Sequence, residues 1–368
     1  MLASMKTVLA LVALLCVSGV SLAGQSTDAS GQNEAICNKY LQTPLPAEAS
    51  TVATPKAWPE CDSYKHYFGL ETKADFAAAR ACAWSERLAT QENKEPRYTV
   101  ASLFGGSAML TVLYANGEGV ERNIPLALRF ACEGELSENG LSDIGKLSWS
   151  SASGRKRFKY CDEAFTTFEM NFCAELDSEI AKQKRSDRLS TLSLKWSKEE
   201  KESFNSLMQA DEVYVDAHGW GETYLGGTIH VLRVSGVEER MRDKFLAAVE
   251  AFEAGHLPRG TASDFGKVDA ELNLLYREAL KAADADKSGD EGAIKSEGIR
   301  KAERAWLKYR DAWVAFAKRR YPETDANAWL TLLTTNRSAS LRMTLCGIDS
   351  DDSSCPRKEA KPDPRAVP

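Results

Sequence analysis

The chain has 368 residues, of which 43% are hydrophobic, 9% aromatic and 27% charged. This composition excludes a globally disordered chain and allows a sizeable hydrophobic core, and the length favours two or three domains. The formal net charge of −6 argues against binding a phosphate backbone through a broad basic face, so we expect no nucleic-acid partner.

The first 23 residues have the pattern of a secretory signal peptide. Lys6 precedes a short apolar segment, and the small residues Ser21 and Ala23 occupy the two positions before the cleavage site that a signal peptidase recognises. We therefore expect cleavage after Ala23 and a periplasmic or secreted protein. No later segment approaches the roughly 20 apolar residues that a membrane span requires. Cleavage removes Cys16 and Lys6, which leaves a charge of −7 and eight cysteines, an even number that predicts disulfide bonds.

The next segments differ in periodicity. Residues 24–60 are rich in Pro, Ala, Ser and Thr and predict an irregular lead-in. Residues 61–150 are helical in pattern, with Asp75 as the expected N-cap of an alanine-rich helix. Within this region, residues 107–133 predict two helices joined by a tight turn, with Asn123 capping the second.

The turn and its two helices resemble a Sel1-like repeat, a relative of the tetratricopeptide hairpin. The positions that carry the resemblance are Ala108, Leu113, Tyr114, Gly117, Gly119, Val120, Asn123 and Ala127. The resemblance implies α-hairpins that bury their faces on neighbouring units. Two hairpins are too few for a free solenoid, so we expect this region to pack on the residues that follow it.

A basic segment, residues 150–159, separates this region from a long charged helix. We interpret the segment as a solvated connector, and an anion-binding patch is the alternative. Thr167 is the expected N-cap of the helix that follows, because apolar residues recur at helical spacing from Met170 to Ile180.

Four later segments resemble the motifs of the lysozyme-inhibitor LprI-like family of secreted bacterial proteins. They lie at residues 161–173, 268–276, 302–312 and 333–337. The matching positions are Cys161, Cys173, Asp269, Leu272, Asn273, Tyr276, Trp306, Tyr309, Arg310, Asp311, Thr334 and Arg337. Apolar stripes independently predict an antiparallel helical hairpin over residues 268–320. We interpret the motif residues as structural, with Arg310 and Asp311 forming a pair or a cap, and contact of these two residues with a partner is the alternative.

The chain departs from the family pattern in its spacing, since almost a hundred residues separate Cys173 from Leu272. We interpret this spacing as a duplication, with one copy at residues 160–260 and another at 264–345, followed by a flexible tail at 346–368. The expected architecture is a mainly α, disulfide-stapled arrangement of hairpins and helical bundle.

The family pattern also bears on the disulfides. Val314 and Trp329 stand where family members commonly carry two cysteines, and the loss of both implies that Cys161 pairs with Cys173. Eight cysteines permit 105 connectivities. The remaining pairs that we predict are Cys37 with Cys61, Cys82 with Cys132, and Cys346 with Cys355.

The sequence contains no pattern typical of catalysis. Its four histidines are scattered, and oxidised cysteines cannot serve as thiolate nucleophiles or zinc ligands. We predict that the protein is not an enzyme and has no cofactor or metal. Residues 284–290 resemble the start of a calcium-binding EF-hand loop, but Lys295 replaces its bidentate glutamate. We interpret this segment as a polar interhelical loop and expect no calcium binding.

The family resemblance implies a secreted protein that inhibits lysozyme by occluding its glycan cleft. Residues 161–263 carry 12 basic and 19 acidic residues, an excess that would steer a basic lysozyme toward this region. His218, Trp220 and Tyr224 lie in a glycine-rich segment and are candidate partner-binding residues. The alternative is an interhelical connection with these side chains packed inward. The alternative function is an envelope scaffold in which the Sel1-like hairpins bind another envelope protein.

Overall fold

The computed structural model describes residues 29–52, 59–70, 72–92, 103–147, 156–164 and 166–348. These residues contain twelve α-helices and no β-strand, which confirms the mainly α prediction. The predicted signal peptide and Cys355 lie outside the described residues. Among the described helices, none combines the length and apolar character needed to cross a bilayer.

Among the described residues, six helices precede the basic segment and form the N-terminal core. They are α1 (Ala29–Tyr40), α2 (Ser63–Phe68), α3 (Phe76–Gln91), α4 (Gly106–Asn116), α5 (Ile124–Glu133) and α6 (Glu138–Lys146). The Phe130 ring lies between Trp84, edge-on at 5.4 Å, and Tyr114, stacked at 5.7 Å between centroids. Both predicted caps are present, since Asp75 accepts from two backbone amides of α3 and Asn123 from one of α5.

The segment 24–60 is not wholly irregular, because it contains α1 and a 3-10 turn at Ala47–Ser50. Tertiary contacts hold α1 in place. The Arg129 guanidinium on α5 donates to the carbonyl oxygens of Leu41 and Thr43 just after α1, at 2.7 and 2.5 Å. The weak periodicity of α1 explains why the sequence pattern did not predict it.

The disulfides correct two of the predicted pairings. Cys37 is bonded to Cys132 and Cys61 to Cys82, so the predicted pairs Cys37–Cys61 and Cys82–Cys132 are wrong. Packing of α1 on α5 brings together cysteines that are 95 residues apart, which sequence proximity could not indicate.

The other two predicted pairs involve cysteines near the family motifs. The bond between Cys161 and Cys173 is present, as the family resemblance implied. Cys346 is disulfide-bonded, and its predicted partner, Cys355, lies outside the described residues.

The described part of the basic segment is extended and attached to the N-terminal core. The Asn116 side chain accepts from the Phe158 amide at 2.8 Å and donates to the Phe158 carbonyl at 3.1 Å. The Phe158 ring is buried, whereas Lys156 and Lys159 are exposed. Residues 156–159 are therefore a fixed connector rather than a freely solvated one.

Helix α7 (Thr167–Leu192) begins one residue earlier than predicted. Its N-cap is Thr166 rather than Thr167, because the Thr166 hydroxyl accepts from the Glu169 amide while the Glu169 carboxylate accepts from the Thr166 amide. This reciprocal pair fixes the start of the longest helix in the described chain.

The same helix connects the two hydrophobic cores. Cys173 and Leu176 near its start pack in the N-terminal core, which therefore extends beyond residue 150. Leu189 and Leu192 near its end pack against the C-terminal core. The change from one core to the other occurs within a continuous helix.

Five further helices form the C-terminal core. They are α8 (Lys198–Gly221), α9 (His230–Glu253), α10 (Ala262–Ala285), α11 (Ser296–Arg320) and α12 (Ala326–Ile348). Helix α8 packs antiparallel to α11, with Phe204 near Phe316 at one end and Gly221 against Gly298 at the other. A Cβ atom on Gly298 would lie 2.5 Å from the Gly221 carbonyl oxygen, so these glycines permit the close approach.

The predicted hairpin of α10 and α11 is present in chain order, but each helix packs mainly on another partner. Helix α11 packs on α8, and α10 packs on α12. The apolar stripe of α11 is buried completely at Trp306, Tyr309 and Trp313, which requires cover from more than one helix. In each three-helix set, α7–α9 and α10–α12, the third helix contacts the first and second. The duplication itself stays a prediction.

Candidate partner-binding site

An exposed hydrophobic surface lies at the end of the C-terminal core where α8 leads into α9. Four large side chains within twelve residues are between 40% and 46% exposed, and they are Trp220, Tyr224, Ile229 and Val231. We refer to residues 220–231 as the 220–231 surface. A concentration of exposed apolar side chains marks a candidate binding site, whereas scattered ones do not.

The first turns of α9 hold the two aromatic residues of this surface. The Trp220 ring meets the His230 ring edge-on, with 6.5 Å between centroids. The Arg233 guanidinium lies 5.4 Å from the centre of the Tyr224 ring and donates to the Tyr224 carbonyl at 2.5 Å. Because His230 and Arg233 are one helical turn apart, α9 supports both rings from the same side.

The loop at residues 286–295, between α10 and α11, supports the surface through hydrogen bonds. The Tyr224 hydroxyl donates to Asp290 Oδ2 at 2.7 Å, and the Leu225 amide donates to the Gly292 carbonyl at 2.7 Å. A Cβ atom on Gly292 would overlap the Gly226 backbone, so only glycine fits between the two loops. The loop that resembles an EF-hand thus holds the 220–231 surface, and no metal-binding group of three or more side chains is found in the described part of the chain.

A buried ion pair lies beneath the surface. The Glu222 carboxylate is fully buried and receives both terminal nitrogens of Arg337, Nη1 at 2.8 Å and Nη2 at 2.6 Å. His218 Nδ1 lies 2.7 Å from the same carboxylate, and the Thr344 hydroxyl lies 3.4 Å from it. The parallel bonds fix the carboxylate in direction as well as in distance.

The arginine of this pair has further partners. Its Nε donates to Glu303 Oε2 at 2.9 Å, and its guanidinium lies 5.8 Å from the centre of the Tyr214 ring. Burial alone would raise the pKa of Glu222, but the Arg337 charge and its hydrogen bonds hold that pKa at about 2. Burial raises the pKa of Glu303 despite Arg337. Arg337 therefore stabilises the ionised form of Glu222 strongly enough to outweigh burial, which it does not do for Glu303.

The three predicted partner-binding residues do not share one environment. Trp220 and Tyr224 are exposed, so the inward-packed alternative does not describe them. It does describe His218, whose side chain is 13% exposed and contacts Glu222. Glu222 and Arg233 were not among the predicted binding residues, because a charged residue in or beside a glycine-rich segment resembles any solvated charge.

The family-motif residues divide between the core and the surface. Six are buried, namely Cys173, Leu272, Trp306, Tyr309, Thr334 and Arg337. On α10, Asp269 accepts a hydrogen bond from the exposed Asn273 at 3.1 Å, and the Tyr276 ring is half-buried. The predicted pair of Arg310 and Asp311 is present, with two bonds of 2.9 and 2.8 Å. Most motif positions therefore maintain the helical packing.

The acidic excess of residues 161–263 is partly used inside the C-terminal core. Arg320 pairs with Glu253 at 2.7 Å and with Glu200 at 3.3 Å. Arg337 pairs with Glu222, as described above. Three carboxylates of the first proposed copy thus face two arginines of the second. The net charge of residues 161–263 therefore overstates the negative field that a partner would meet. The predicted electrostatic attraction of a basic lysozyme to this region is weaker than the charge count suggests.

Comparison with known proteins identifies part of this region. Residues 259–343 match the family model described as Lysozyme inhibitor LprI. The match covers α10, α11 and most of α12, including Arg337, and it begins after the 220–231 surface. Neither the curated proteins nor the solved structures include a match to the chain. The matched domain supports a protein-binding function of the lysozyme-inhibitor kind, and this is an inhibitor family rather than a catalytic one. The Sel1-like resemblance stays a prediction.

Proposed function

We propose that the mature protein is a periplasmic or secreted, non-enzymatic inhibitor that binds a basic lysozyme through the 220–231 surface. The observation that carries the proposal is the position of this surface directly against the LprI-matched segment. Tyr224 is hydrogen-bonded to Asp290, and Leu225 is hydrogen-bonded to Gly292. Both Asp290 and Gly292 lie inside the matched segment. The surface and the matched domain therefore form one structural unit.

The side chains of the surface suit a protein interface. Trp and Tyr are enriched among the residues that dominate binding energy, because they bury a large area while ordering few rotatable bonds. Their supports on α9 and on the 286–295 loop reduce the entropy lost on binding. A projecting aromatic surface could cover the cleft in which a lysozyme uses two carboxylates to cleave glycan.

Electrostatic attraction would act on the encounter more than on the bound complex. The mature chain retains a net charge of −7 after signal-peptide removal, so a basic lysozyme would be attracted over a distance of about 8–10 Å at physiological salt. The association rate should fall as salt is added, whereas the dissociation rate should depend on the aromatic contacts.

A turbidity assay of cell-wall lysis tests the proposal. Purified residues 24–368 are added in molar excess to several lysozyme types, and we expect slower lysis with a basic enzyme. The double variant Trp220→Ala/Tyr224→Ala should weaken inhibition by about tenfold or more. Val213→Ala is the matched control, because Val213 is an exposed residue on the outer side of α8.

Unchanged lysis at large excess with every lysozyme type would refute the inhibitor function. Equal loss of inhibition in the aromatic variant and the Val213→Ala control would show instead that the 220–231 surface is not the contact.

A further inference from the structure

We propose that the buried Glu222–Arg337 ion pair positions the 220–231 surface for binding, so that Arg337 is a positioning residue of a surface it does not itself form. The proposal rests on the proposed function of that surface. It assigns to Arg337, a buried residue of the matched domain, a role in presenting residues that precede the domain.

Glu222 connects the end of α8 to the 220–231 surface. It is the C-cap of α8, its amide donates to the His218 carbonyl at 2.9 Å, and it lies two residues from both Trp220 and Tyr224. Within residues 220–231, Glu222 is the one side chain that is buried. It is therefore the anchor that reaches from this surface into the core.

The ion pair holds the Glu222 carboxylate in a defined geometry. Two parallel bonds of 2.6 and 2.8 Å to the guanidinium define both the position and the direction of the carboxylate. Arg337 is itself held by Glu303 on α11, so its orientation does not depend on the surface. The ion pair thus holds the end of α8 in a defined position relative to α12.

An ion pair occupies this place although burying two charges is costly. Well-packed apolar residues often stabilise a core as much as a buried ion pair does, since both charges lose their hydration. An apolar pair, however, would not fix the direction of the chain between Trp220 and Tyr224. A role in geometry explains the pair better than a role in stability alone.

Hydrogen exchange on the full mature chain separates positioning from stability. The reporter is the Leu225 amide, which is protected by its bond to the Gly292 carbonyl. We expect Glu222→Gln to accelerate exchange in residues 219–231 by about tenfold or more relative to peptides of α11. The matched control is Glu303→Gln, which removes the other carboxylate from the same arginine and should accelerate exchange in the core and in the surface by similar factors.

A binding measurement on the same proteins completes the test. With a basic lysozyme as the probe, Glu222→Gln should lose about tenfold or more in affinity relative to Glu303→Gln. Arg337→Lys keeps the charge without the two parallel bonds and should resemble Glu222→Gln. If Glu222→Gln does not fold, Glu222→Asp and Arg337→Lys provide the same comparison.

Two results would overturn the positioning role. One is equal acceleration of exchange in residues 219–231 by Glu222→Gln and Glu303→Gln. The other is protection of Leu225 that Glu222→Gln leaves unchanged. If the wild-type chain binds no lysozyme, the proposed function fails, whereas the exchange comparison still decides whether the ion pair positions the surface.

Discussion

The two hydrophobic cores of the chain are stabilised in different ways. The N-terminal core is built from helices of 6 to 16 residues and from the start of α7, and three disulfides cross-link it. The C-terminal core is built from helices of 23 to 25 residues, and no disulfide joins residues 196–341. Short helices bury too little apolar surface to offset their ordering entropy, so covalent links supply the difference.

Aromatic stacking takes the place of cross-links in the C-terminal core. Trp329 stacks on Trp313 at 6.0 Å and on Tyr321 at 5.5 Å, and the Phe252 ring meets it edge-on at 4.9 Å. Trp329 is one of the two positions where the family resemblance implies a cysteine. A buried indole at this position contributes packing area in place of a covalent bond.

Both cores bury polar groups. In the N-terminal core, the buried Glu86 carboxylate accepts bonds from the Ser63 amide, the Ser63 hydroxyl and the Gly106 amide. In the C-terminal core, Asp211 Oδ1 and the Tyr309 hydroxyl are buried without a hydrogen-bond partner. Unpaired buried polar atoms are not confined to the C-terminal core, since Glu179 Oε2, whose charge raises the pKa of Tyr64 in the N-terminal core, also lacks a partner.

Removing the disulfide that closes the longest loop should give the largest difference in stability between the two cores. The variant Cys37→Ala/Cys132→Ala opens a loop of 95 residues, and we expect a loss of about 4 to 5 kcal/mol confined to the N-terminal core. Calorimetry together with hydrogen exchange of α3 and α11 peptides measures the effect. Equal destabilisation of both peptides would show that α7 couples the cores into one unfolding unit.

Breaking the buried ion pair should act on the C-terminal core alone. Arg337→Met leaves Glu222 as an unpaired buried charge, and we expect a loss of about 3 to 5 kcal/mol in urea denaturation. Because the pKa of Glu222 is lowered to about 2, the contribution of the pair is present above pH 4.5 and is lost as the pH falls toward 2. A second change, Glu222→Leu, should restore part of the stability, and its failure to do so would contradict the ion-pair explanation.

Replacing Asp211 should produce a smaller, opposite effect. Burial, followed by the nearby Glu212 charge, raises the pKa of Asp211 to about 8. Its favourable contribution is complete below about pH 4 and is lost as the pH rises through 8, because the unfolded chain releases the proton more readily. We expect Asp211→Asn to stabilise the C-terminal core by about 1 to 3 kcal/mol at pH 8 and by less at pH 4. Thermal melts at the two pH values measure this difference, and a gain independent of pH would contradict the assignment.

Local sequence patterns determined the class of structure and much of the domain region. The apolar stripe through Trp306 and Tyr309 predicted a buried helix, and Asp75 and Asn123 predicted helix starts, because helix periodicity and capping depend on neighbouring residues. Three of the four family motifs lie within residues 259–343, which the LprI family model matches, whereas the motif at 161–173 lies outside the match. Helix α1 was missed because its stability comes from bonds to α5 rather than from its own pattern.

Only the tertiary structure decided which distant residues meet. The partners of Cys37, Glu222 and α11 are separated from them by about a hundred residues in the chain. The acidic excess of residues 161–263 illustrates the same limit, since part of it neutralises Arg320 and Arg337. Composition and spacing determine which groups exist and which helices form, whereas packing determines which charges face each other and which aromatic rings remain exposed.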